Sequence, residues 1–155
     1  MNDNEKLITQ FYEALNQRDG EAMCACYDNS IFFSDPVFPE LHGEEAKNMW
    51  RMLCQKSTDL QVSATHIQAN DSEGSATWEA HYTFGNTGRK IHNQVQAQFK
   101  FKNHKMVHHV DQFSFWKWSR QALGPIGWIA GFSPWLLNQV RQNARNSLTR
   151  FGQKR

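Results

Sequence analysis

The chain has 155 residues, of which 39% are hydrophobic, 13% aromatic and 21% charged. This length fits one globular domain, and the aromatic content excludes an intrinsically disordered chain. Seventeen Lys and Arg residues against fifteen Asp and Glu residues give a net charge of only +2, which excludes a uniformly basic nucleic-acid-binding protein.

Three helices are predicted in the first third of the chain, because apolar side chains recur there at helical spacing. The predicted helices cover residues 7–15, 21–27 and 44–56. Between the second and third, Asp28-Asn29-Ser30 predicts a break in the helix. Ile31-Phe32-Phe33 then predicts a short strand that stops at Asp35-Pro36.

The apolar period then changes from about 3.6 to 2, which predicts four strands joined by turns. The predicted strands cover residues 60–70, 74–84, 89–102 and 105–118. Because helices precede a run of consecutive strands, the class is α+β with an antiparallel sheet. Asn93, His109 and Asp111 interrupt apolar strand faces. A buried polar group without a partner costs about 1–3 kcal/mol, so these three should have partners or line a wet cavity.

Four short motifs carry a resemblance to a known family. The first helix contains FYxALNxxD at residues 11–19, and FSDPV follows at residues 33–37. Weaker support comes from WxAxY at residues 78–82 and HHVDQF at residues 108–113. With these motifs the sequence resembles the nuclear transport factor 2-like, or SnoaL-like, superfamily over about residues 5–118.

The resemblance implies a cone-shaped fold, the cystatin-like α+β barrel. In it, N-terminal helices pack inside a strongly bent antiparallel sheet, and a pocket opens at the mouth of the cone. Homodimers are usual in this family. We therefore expect a SnoaL-like domain over residues 1–118 and a C-terminal helical extension over residues 119–155 that is not an independent domain.

Within the superfamily, the ketosteroid isomerases suggest roles for individual residues. Their tyrosine oxyanion donor falls on Tyr12, and their catalytic base, in an Asp-Pro-Val motif, falls on Asp35. Their second oxyanion donor is a protonated aspartate, and Ala97 stands at that position. Loss of one such donor can cost about 10²–10³ in rate, which argues against steroid isomerisation. Asp111 resembles an acidic acid–base residue on the last strand of SnoaL-like cyclases.

Each of these residues also has a purely structural interpretation. Asp35 can open a turn and accept backbone N–H bonds, or act as a base with a raised pKa. Tyr12 can be a core tyrosine. His109 and Asp111 are two residues apart on a strand and face the same side. They are either a structural pair or a second acid–base or orienting pair, in which the carboxylate sets the imidazole tautomer. The residues predicted to line the pocket are Phe33, Trp50, Trp78, Tyr82, Asn93, Ala97, Phe99 and Phe113.

The C-terminal segment differs in charge from the rest of the chain, since residues 112–155 carry seven cations and no anion. Ser133-Pro134 predicts the start of a helix of about 17 residues. Its apolar stripe consists of Leu137, Val140, Ala144, Leu148 and Phe151. The helix packs over the pocket or a dimer partner, or makes a weak contact with an anionic membrane surface. The uncharged stretch between Arg120 and Arg141 contains Gly and Pro and does not predict a membrane span.

The sequence thus predicts a small cytoplasmic pocket protein that binds an apolar carbonyl-containing metabolite, and an isomerase or cyclase acting by proton transfer is one outcome. The alternative is a non-catalytic ligand- or protein-binding module of the same fold. The three cysteines lack CxxC spacing and fit a reducing compartment. We expect no metal, because the histidines lack HExxH or HxH spacing, and no cofactor or nucleic-acid partner.

Overall fold

Twelve helices and strands are present in the computed structural model, which describes residues 1–131 and 133–154. Phe132, in the Gly-rich aromatic stretch before the last helix, and Arg155 lie outside the described residues. The elements are α1 (Asp3–Asn16), α2 (Gly20–Ala25), β1 (Tyr27–Ser34), β2 (Leu41–His42), α3 (Glu44–Lys56), β3 (Gln61–Ala69), β4 (Glu73–Phe84), β5 (Arg89–Lys102), β6 (Lys105–Gln112), α4 (Phe115–Leu123), α5 (Pro125–Ala130) and α6 (Pro134–Gln153). Within the described ranges, no helix is long and apolar enough to cross a bilayer.

The six strands form one sheet in the order β2-β1-β6-β5-β4-β3. All neighbouring strands are antiparallel except β1 and β6, which are parallel and place Phe33 opposite His109. The predicted α+β class is therefore confirmed, with a mixed sheet in place of the wholly antiparallel one expected. The parallel pair arises because the predicted short strand joins the last strand of the sheet, which is far away in sequence.

Helix α1 begins at a capping box and buries one face against the sheet. The Asn2 side chain accepts from Glu5 N at 2.8 Å, and Glu5 accepts from Asn2 N at 3.0 Å. Such reciprocal bonds satisfy two of the free N–H groups at a helix start. The buried residues of α1 include the predicted stripe Leu7, Ile8, Phe11, Tyr12 and Leu15. This face joins residues of α3 and the sheet in the main core.

Strand β1 is longer than predicted, because it starts at Tyr27 and includes the predicted break at residues 28–30. The Asp28 carboxylate accepts from the backbone N–H of Ser30 at 2.9 Å and from its hydroxyl at 2.6 Å. The register with β6 shifts between Tyr27 and Phe32. The polar tripeptide thus forms an irregularity within a strand, and the predicted second helix ends at Ala25, before Tyr27.

Strand β6 is shorter than predicted, because it ends at Gln112 and a helix begins at Phe115. The Ser114 hydroxyl accepts from Lys117 N at 3.2 Å and caps α4. The expected strand up to residue 118 was therefore wrong. Met106 is buried and Val107 only half-buried, since a register shift at Lys100 and Phe101 changes the alternation.

The C-terminal segment forms three helices. Gly124 has a φ of +66° and joins α4 to α5, a conformation that favours glycine. Gly127 lies so close to the Ser119 carbonyl that a Cβ could not fit. Helix α6 packs on α3, and its residue Leu148 belongs to the main core. Phe151 packs against that core, and Val140 packs against a second cluster formed by Ile91, Trp118 and Ala122.

Candidate functional site

A continuous chain of hydrogen bonds runs through the core between α3 and the sheet. Trp50 Nε1 donates to the Tyr27 hydroxyl at 2.8 Å, and this hydroxyl lies 2.7 Å from His109 Nδ1. His109 Nε2 lies 2.8 Å from Asp111 Oδ1, which also accepts from Trp78 Nε1 at 3.4 Å. All five side chains are buried. The predicted contact between His109 and Asp111 is therefore present.

The direction of these hydrogen bonds follows from the donors. An indole N–H can only donate, so the Tyr27 oxygen accepts from Trp50 and its own proton is free to point at His109 Nδ1. Nδ1 is then the acceptor, and Nε2 carries the proton that is donated to Asp111. With the His109 proton on Nε2, every bond in the chain has one donor and one acceptor. Burial, and next the charge of Asp111, raise the pKa of Tyr27 well above its usual value, so this hydroxyl stays protonated.

The surroundings of His109 are aromatic. Its ring centroid lies 4.4 Å from that of Phe99 and 5.0 Å from that of Phe33, and it stacks on Trp50 at 6.1 Å. Phe33 and Phe99 pair with His109 across the neighbouring strands β1 and β5. Ala97 pairs with Asp111 in the same way and is buried. The strand register therefore brings together several of the predicted pocket residues around the two polar ones.

Asp35 follows directly after β1 and holds a tight turn. Its Oδ1 accepts from the backbone N–H groups of Val37 at 2.8 Å and Phe38 at 2.6 Å. Across residues 1–131 and 133–154, no hydrogen bond reaches Oδ2. Arg141 of α6 donates to the Pro36 carbonyl at 2.9 Å and so covers the turn. Both interpretations of Asp35 therefore have support, because the turn that fixes one carboxylate oxygen leaves the other unbonded.

The pKa of the Asp35 carboxyl is raised to about 7. Burial is the largest cause, and the negative charge of Asp111 adds to it. The two backbone N–H groups and the Arg141 cation act in the opposite direction but do not cancel the effect of burial. The charge of Asp35 in turn raises the pKa of Tyr82, after burial as the main cause. Asp35, Tyr82 and Asp111 are thus close enough to interact electrostatically.

Tyr12 is buried between aromatic rings, and its hydroxyl has no hydrogen-bond partner among the described residues. Its ring centroid lies 5.5 Å from that of Trp78 and 6.4 Å from that of Phe99. Burial, and then the charge of Asp111, raise its pKa well above the usual value. A buried hydroxyl without a partner costs free energy, so it is a donor available to a group that enters the core.

The remaining predicted pocket residues lie further from this centre. Tyr82 and Phe113 are half-buried and pack against both apolar clusters, and the Tyr82 hydroxyl accepts from Trp118 Nε1 at 2.9 Å. Asn93 is half-buried, and in the described part of the chain its side chain makes no hydrogen bond to the other predicted site residues. Two surface depressions, of about 490 and 340 Å³, are lined by other residues.

Sequence reasoning did not identify Tyr27 as a member of the site. It was placed on the second helix, whereas it is the first residue of β1 and contacts His109. The sequence did contain a signal, because Tyr27, Ile31 and Phe33 are an even number of residues apart, as expected for side chains on one side of a strand. All three are buried. The polar residues 28–30 concealed this alternation.

On the outer face of the sheet, Glu79, His81 and His92 lie together. The rings of His81 and His92 stack at 4.0 Å, and His92 Nε2 lies 3.4 Å from Glu79. Within the described ranges, no three His, Cys, Asp or Glu side chains are placed to hold a metal ion. The three cysteines, Cys24, Cys26 and Cys54, are buried free thiols.

The fold and this buried polar centre define a class of small α+β proteins in which a few polar side chains lie inside an apolar core. A family model described as SnoaL-like domain matches residues 8–109. The chain therefore belongs to the SnoaL-like family, as its motifs predicted. No curated protein matches the chain.

Solved structures share the same fold. An NTF2-like protein of unknown function from Burkholderia pseudomallei is 16% identical, with a TM-score of 0.69 over 79% of this chain and 99% of that one. An LEH-like epoxide hydrolase from M. tuberculosis is 16% identical, with a TM-score of 0.66 over 85% of this chain and 96% of that one. A protein with a ketosteroid isomerase-like fold from Catenulispora acidiphila, solved in complex with trimethylamine, is 10% identical. Its TM-score is 0.69 over 79% of this chain and 95% of that one. These similarities show the NTF2-like cone fold.

Proposed function

We propose that this protein binds a small apolar metabolite with a carbonyl group and transfers a proton on it, as an isomerase or cyclase does. The observation that carries the proposal is the pKa of Asp35, about 7, in a turn that leaves one carboxylate oxygen without a hydrogen bond. A general base is most effective when its pKa lies near the working pH. Asp35 is the proposed base, and its free Oδ2 is the proposed proton acceptor.

Tyr12 is the proposed donor to the oxyanion that forms when a proton leaves the carbon beside a carbonyl. Its hydroxyl is buried, protonated at neutral pH and without a partner in the described structure. It is therefore free to donate a hydrogen bond to the negative charge that develops in the transition state. Ala97 cannot donate a second hydrogen bond. One such donor contributes about 10²–10³ in rate. Because Tyr12 is the one donor proposed here, the reaction must need less oxyanion stabilisation than steroid isomerisation does.

His109 and Asp111 are proposed to orient and to tune the site. The buried negative charge of Asp111 helps to keep the pKa of Asp35 near neutrality. His109 fixes the Asp111 carboxylate through Nε2 and is itself fixed by the Tyr27 hydroxyl on Nδ1. The pocket wall is proposed to consist of the aromatic residues around this pair, with Phe113 and Tyr82 as its half-buried outer members. The epoxide hydrolase and the trimethylamine complex among the similar structures support a small-molecule role for this fold.

The test compares turnover and binding in two variants, after a screen of carbonyl compounds has supplied a substrate. Asp35→Asn keeps the Oδ1 acceptor of the turn but removes the base, so turnover should fall by about 10²–10⁴ while the dissociation constant changes only a few-fold. In the wild type, kcat/KM should rise with pH to a plateau above the Asp35 pKa of about 7. Asp71→Asn, at an exposed carboxylate, is the matched control and should leave both quantities unchanged. Equal losses of binding and turnover in Asp35→Asn would contradict the proposal.

One observation favours a second candidate, a non-catalytic ligand- or protein-binding module. His109 is completely buried, and both of its ring nitrogens have partners within the protein. A histidine whose two ring nitrogens are both bonded within the protein can be purely structural. In that case a ligand would bind with the same affinity to wild type and Asp35→Asn, and no tested carbonyl compound would be turned over.

The proposal also includes a homodimer in the cytoplasm, which rests on the family resemblance and on the free cysteines. Sedimentation equilibrium over a range of concentrations measures the oligomeric state directly. A monomer at all concentrations would remove the dimer from the proposal without affecting the assigned site.

A further inference from the structure

The larger surface depression, of about 490 Å³, lies where the start of β5 meets α4 and α5. It is lined by Arg89, Lys90, Arg120, Gln121 and Trp128. Three of these five residues are cations and none is acidic. None of them belongs to the candidate active site. The depression is therefore a separate feature, and its charge suits an anion.

Arg120 is held in place by two tryptophans. Its guanidinium carbon lies 4.1 Å from the ring centroid of Trp116 and 4.4 Å from that of Trp128. The Nε atom is buried and has no hydrogen-bond partner in the described part of the chain. A guanidinium clamped between aromatic faces keeps its charge and its N–H groups fixed, which is the arrangement that recognises phosphate oxygens well. Arg120 lines the depression and contributes its positive charge there.

The other lining residues are also positioned by the fold. Arg89 Nε donates to the Gln121 carbonyl at 2.8 Å, and the Gln121 side chain accepts from His92 N at 2.6 Å. Lys90 has a side chain that is 85% exposed, and its nearest carboxylate is that of Asp59 at 3.8 Å. An exposed pair at this distance contributes little and neutralises the lysine only weakly. The depression therefore keeps a net positive charge.

Large apolar side chains are exposed in the same part of the chain. Ile126 is 58% exposed, Trp128 is 57% exposed and Trp135 is 61% exposed. Tryptophan is enriched where proteins meet the interface of a bilayer, because its ring is apolar and its N–H is polar. The segment around these residues carries no anion, since residues 112–155 hold seven cations and no Asp or Glu.

We propose that this surface docks on an anionic bilayer. A lipid phosphate occupies the depression between Arg89, Lys90 and Arg120, while Ile126, Trp128 and Trp135 insert among the headgroups. Charge complementarity selects this occupant, because a cationic depression beside exposed tryptophans matches an anionic headgroup attached to an apolar chain. Helix α6 was the membrane contact expected from sequence, but its apolar stripe packs on α3 and the core. The proposed contact therefore lies on the start of β5, on α4 and α5, and on the first turn of α6.

The test uses the full chain and vesicles of phosphatidylcholine with or without phosphatidylserine. We expect co-sedimentation and a blue shift of tryptophan fluorescence only with phosphatidylserine, and weaker binding at high salt, because exposed charges are screened over about 10 Å at 0.1 M. Lys90→Gln should lower the partition coefficient about fivefold, the effect of one cation near an anionic surface. Because the Lys90 side chain is exposed, this variant should fold like the wild type, and a melting curve checks this. Trp128→Ala should also lower binding.

The control variant is Arg150→Gln, which removes the same charge from an exposed position in the last turn of α6. It should reduce binding less than Lys90→Gln. Equal binding to both kinds of vesicle, no binding to either, or equal effects of the two variants would overturn the proposal. Stabilisation by inorganic phosphate without any vesicle binding would assign the depression to a soluble anion and would also overturn it.

Discussion

Tyr12 and Tyr27 are two buried tyrosines whose hydroxyl groups have opposite environments. The Tyr27 hydroxyl links Trp50 to His109, whereas the Tyr12 hydroxyl has no partner among the described residues. Their free-energy contributions should therefore differ in sign even though both rings are packed in the same core. In the proposed function, the satisfied hydroxyl positions His109 and the unsatisfied one donates to the bound metabolite.

We predict that Tyr27→Phe lowers the free energy of unfolding by about 1–3 kcal/mol, because it leaves the Trp50 N–H and His109 Nδ1 without their partner. Tyr12→Phe removes an unpaired hydroxyl and should be neutral or slightly stabilising. Urea denaturation of both variants and the wild type measures the difference. Equal destabilisation by the two substitutions would contradict the assigned hydrogen bonds.

The raised pKa of Asp35 also predicts how stability depends on pH. The folded-state pKa is about 7 and the ordinary value is 3.8, so between these values the folded protein binds more protons than the unfolded chain. The contribution of Asp35 to stability therefore falls as pH rises from about 4 through 7. Asp35→Asn removes this penalty and keeps the Oδ1 acceptor of the turn.

We accordingly predict that Asp35→Asn is more stable than the wild type at pH 8 and similar to it at pH 4. One pKa unit corresponds to about 1.36 kcal/mol, so the upper limit of the gain at pH 8 is about 4 kcal/mol. Thermal unfolding of both proteins across this pH range measures it, with Asp71→Asn as the exposed control. Parallel stability curves for Asp35→Asn and the wild type would show that Asp35 titrates normally.

At the residue scale, strand periodicity and family resemblance placed His109 and Asp111 on one buried face and Tyr12 and Asp35 near them. The partners of these residues could not be predicted in the same way. Tyr27 reaches His109 only because β1 is parallel to β6, and no local pattern encodes a pairing between segments so distant in sequence. Trp78 contacts Asp111 from β4, which is not adjacent to β6 in the sheet.

At the scale of elements, α2, β3 and β4 were predicted within one or two residues, whereas α1 begins four residues before its predicted start. The bounds of α3 and β5 agree completely, because each carries one uninterrupted apolar period. Residues 113–118 show why the end of β6 was missed. The sequence Phe-Ser-Phe-Trp-Lys-Trp alternates almost like a strand, but Phe115, Trp118 and Ala122 are spaced as on a helix and pack in one cluster. Ser114, as the cap of α4, was the overlooked signal.

Helix α6 provides a prediction at the same scale, because it covers the core through few residues. Leu148 is one of its two buried residues and belongs to the main core. Leu148→Ala should lower the free energy of unfolding by about 2–5 kcal/mol, the usual cost of a cavity at such a site. Asn143→Ala, at an exposed position of α6, is the control and should change it by less than about 0.5 kcal/mol. Similar small effects of both would mean that α6 is detached in solution.

At the scale of the whole molecule, α6 is held on the body by charge as well as by apolar contact. Arg145 pairs with Glu45 of α3 at 2.6 Å, and Arg141 bonds to the turn that contains Asp35. The basic helix α6 is thus bonded to an acidic residue of α3 and to the turn after β1. The basic depression beside α4 and α5, where the proposed bilayer contact lies, is a separate surface.

The parallel pairing of β1 with β6 has a consequence for how the protein is made. Protein synthesis proceeds from the N-terminus, so β1 leaves the ribosome long before β6 exists. The edge of β1 that pairs with β6 therefore remains unpaired while α3, β3, β4 and β5 are synthesised. Contacts between such distant segments slow folding, since a long loop must close before they form. The last strand thus completes both the sheet and the polar centre, and a nascent chain that stops before residue 105 lacks His109 and Asp111.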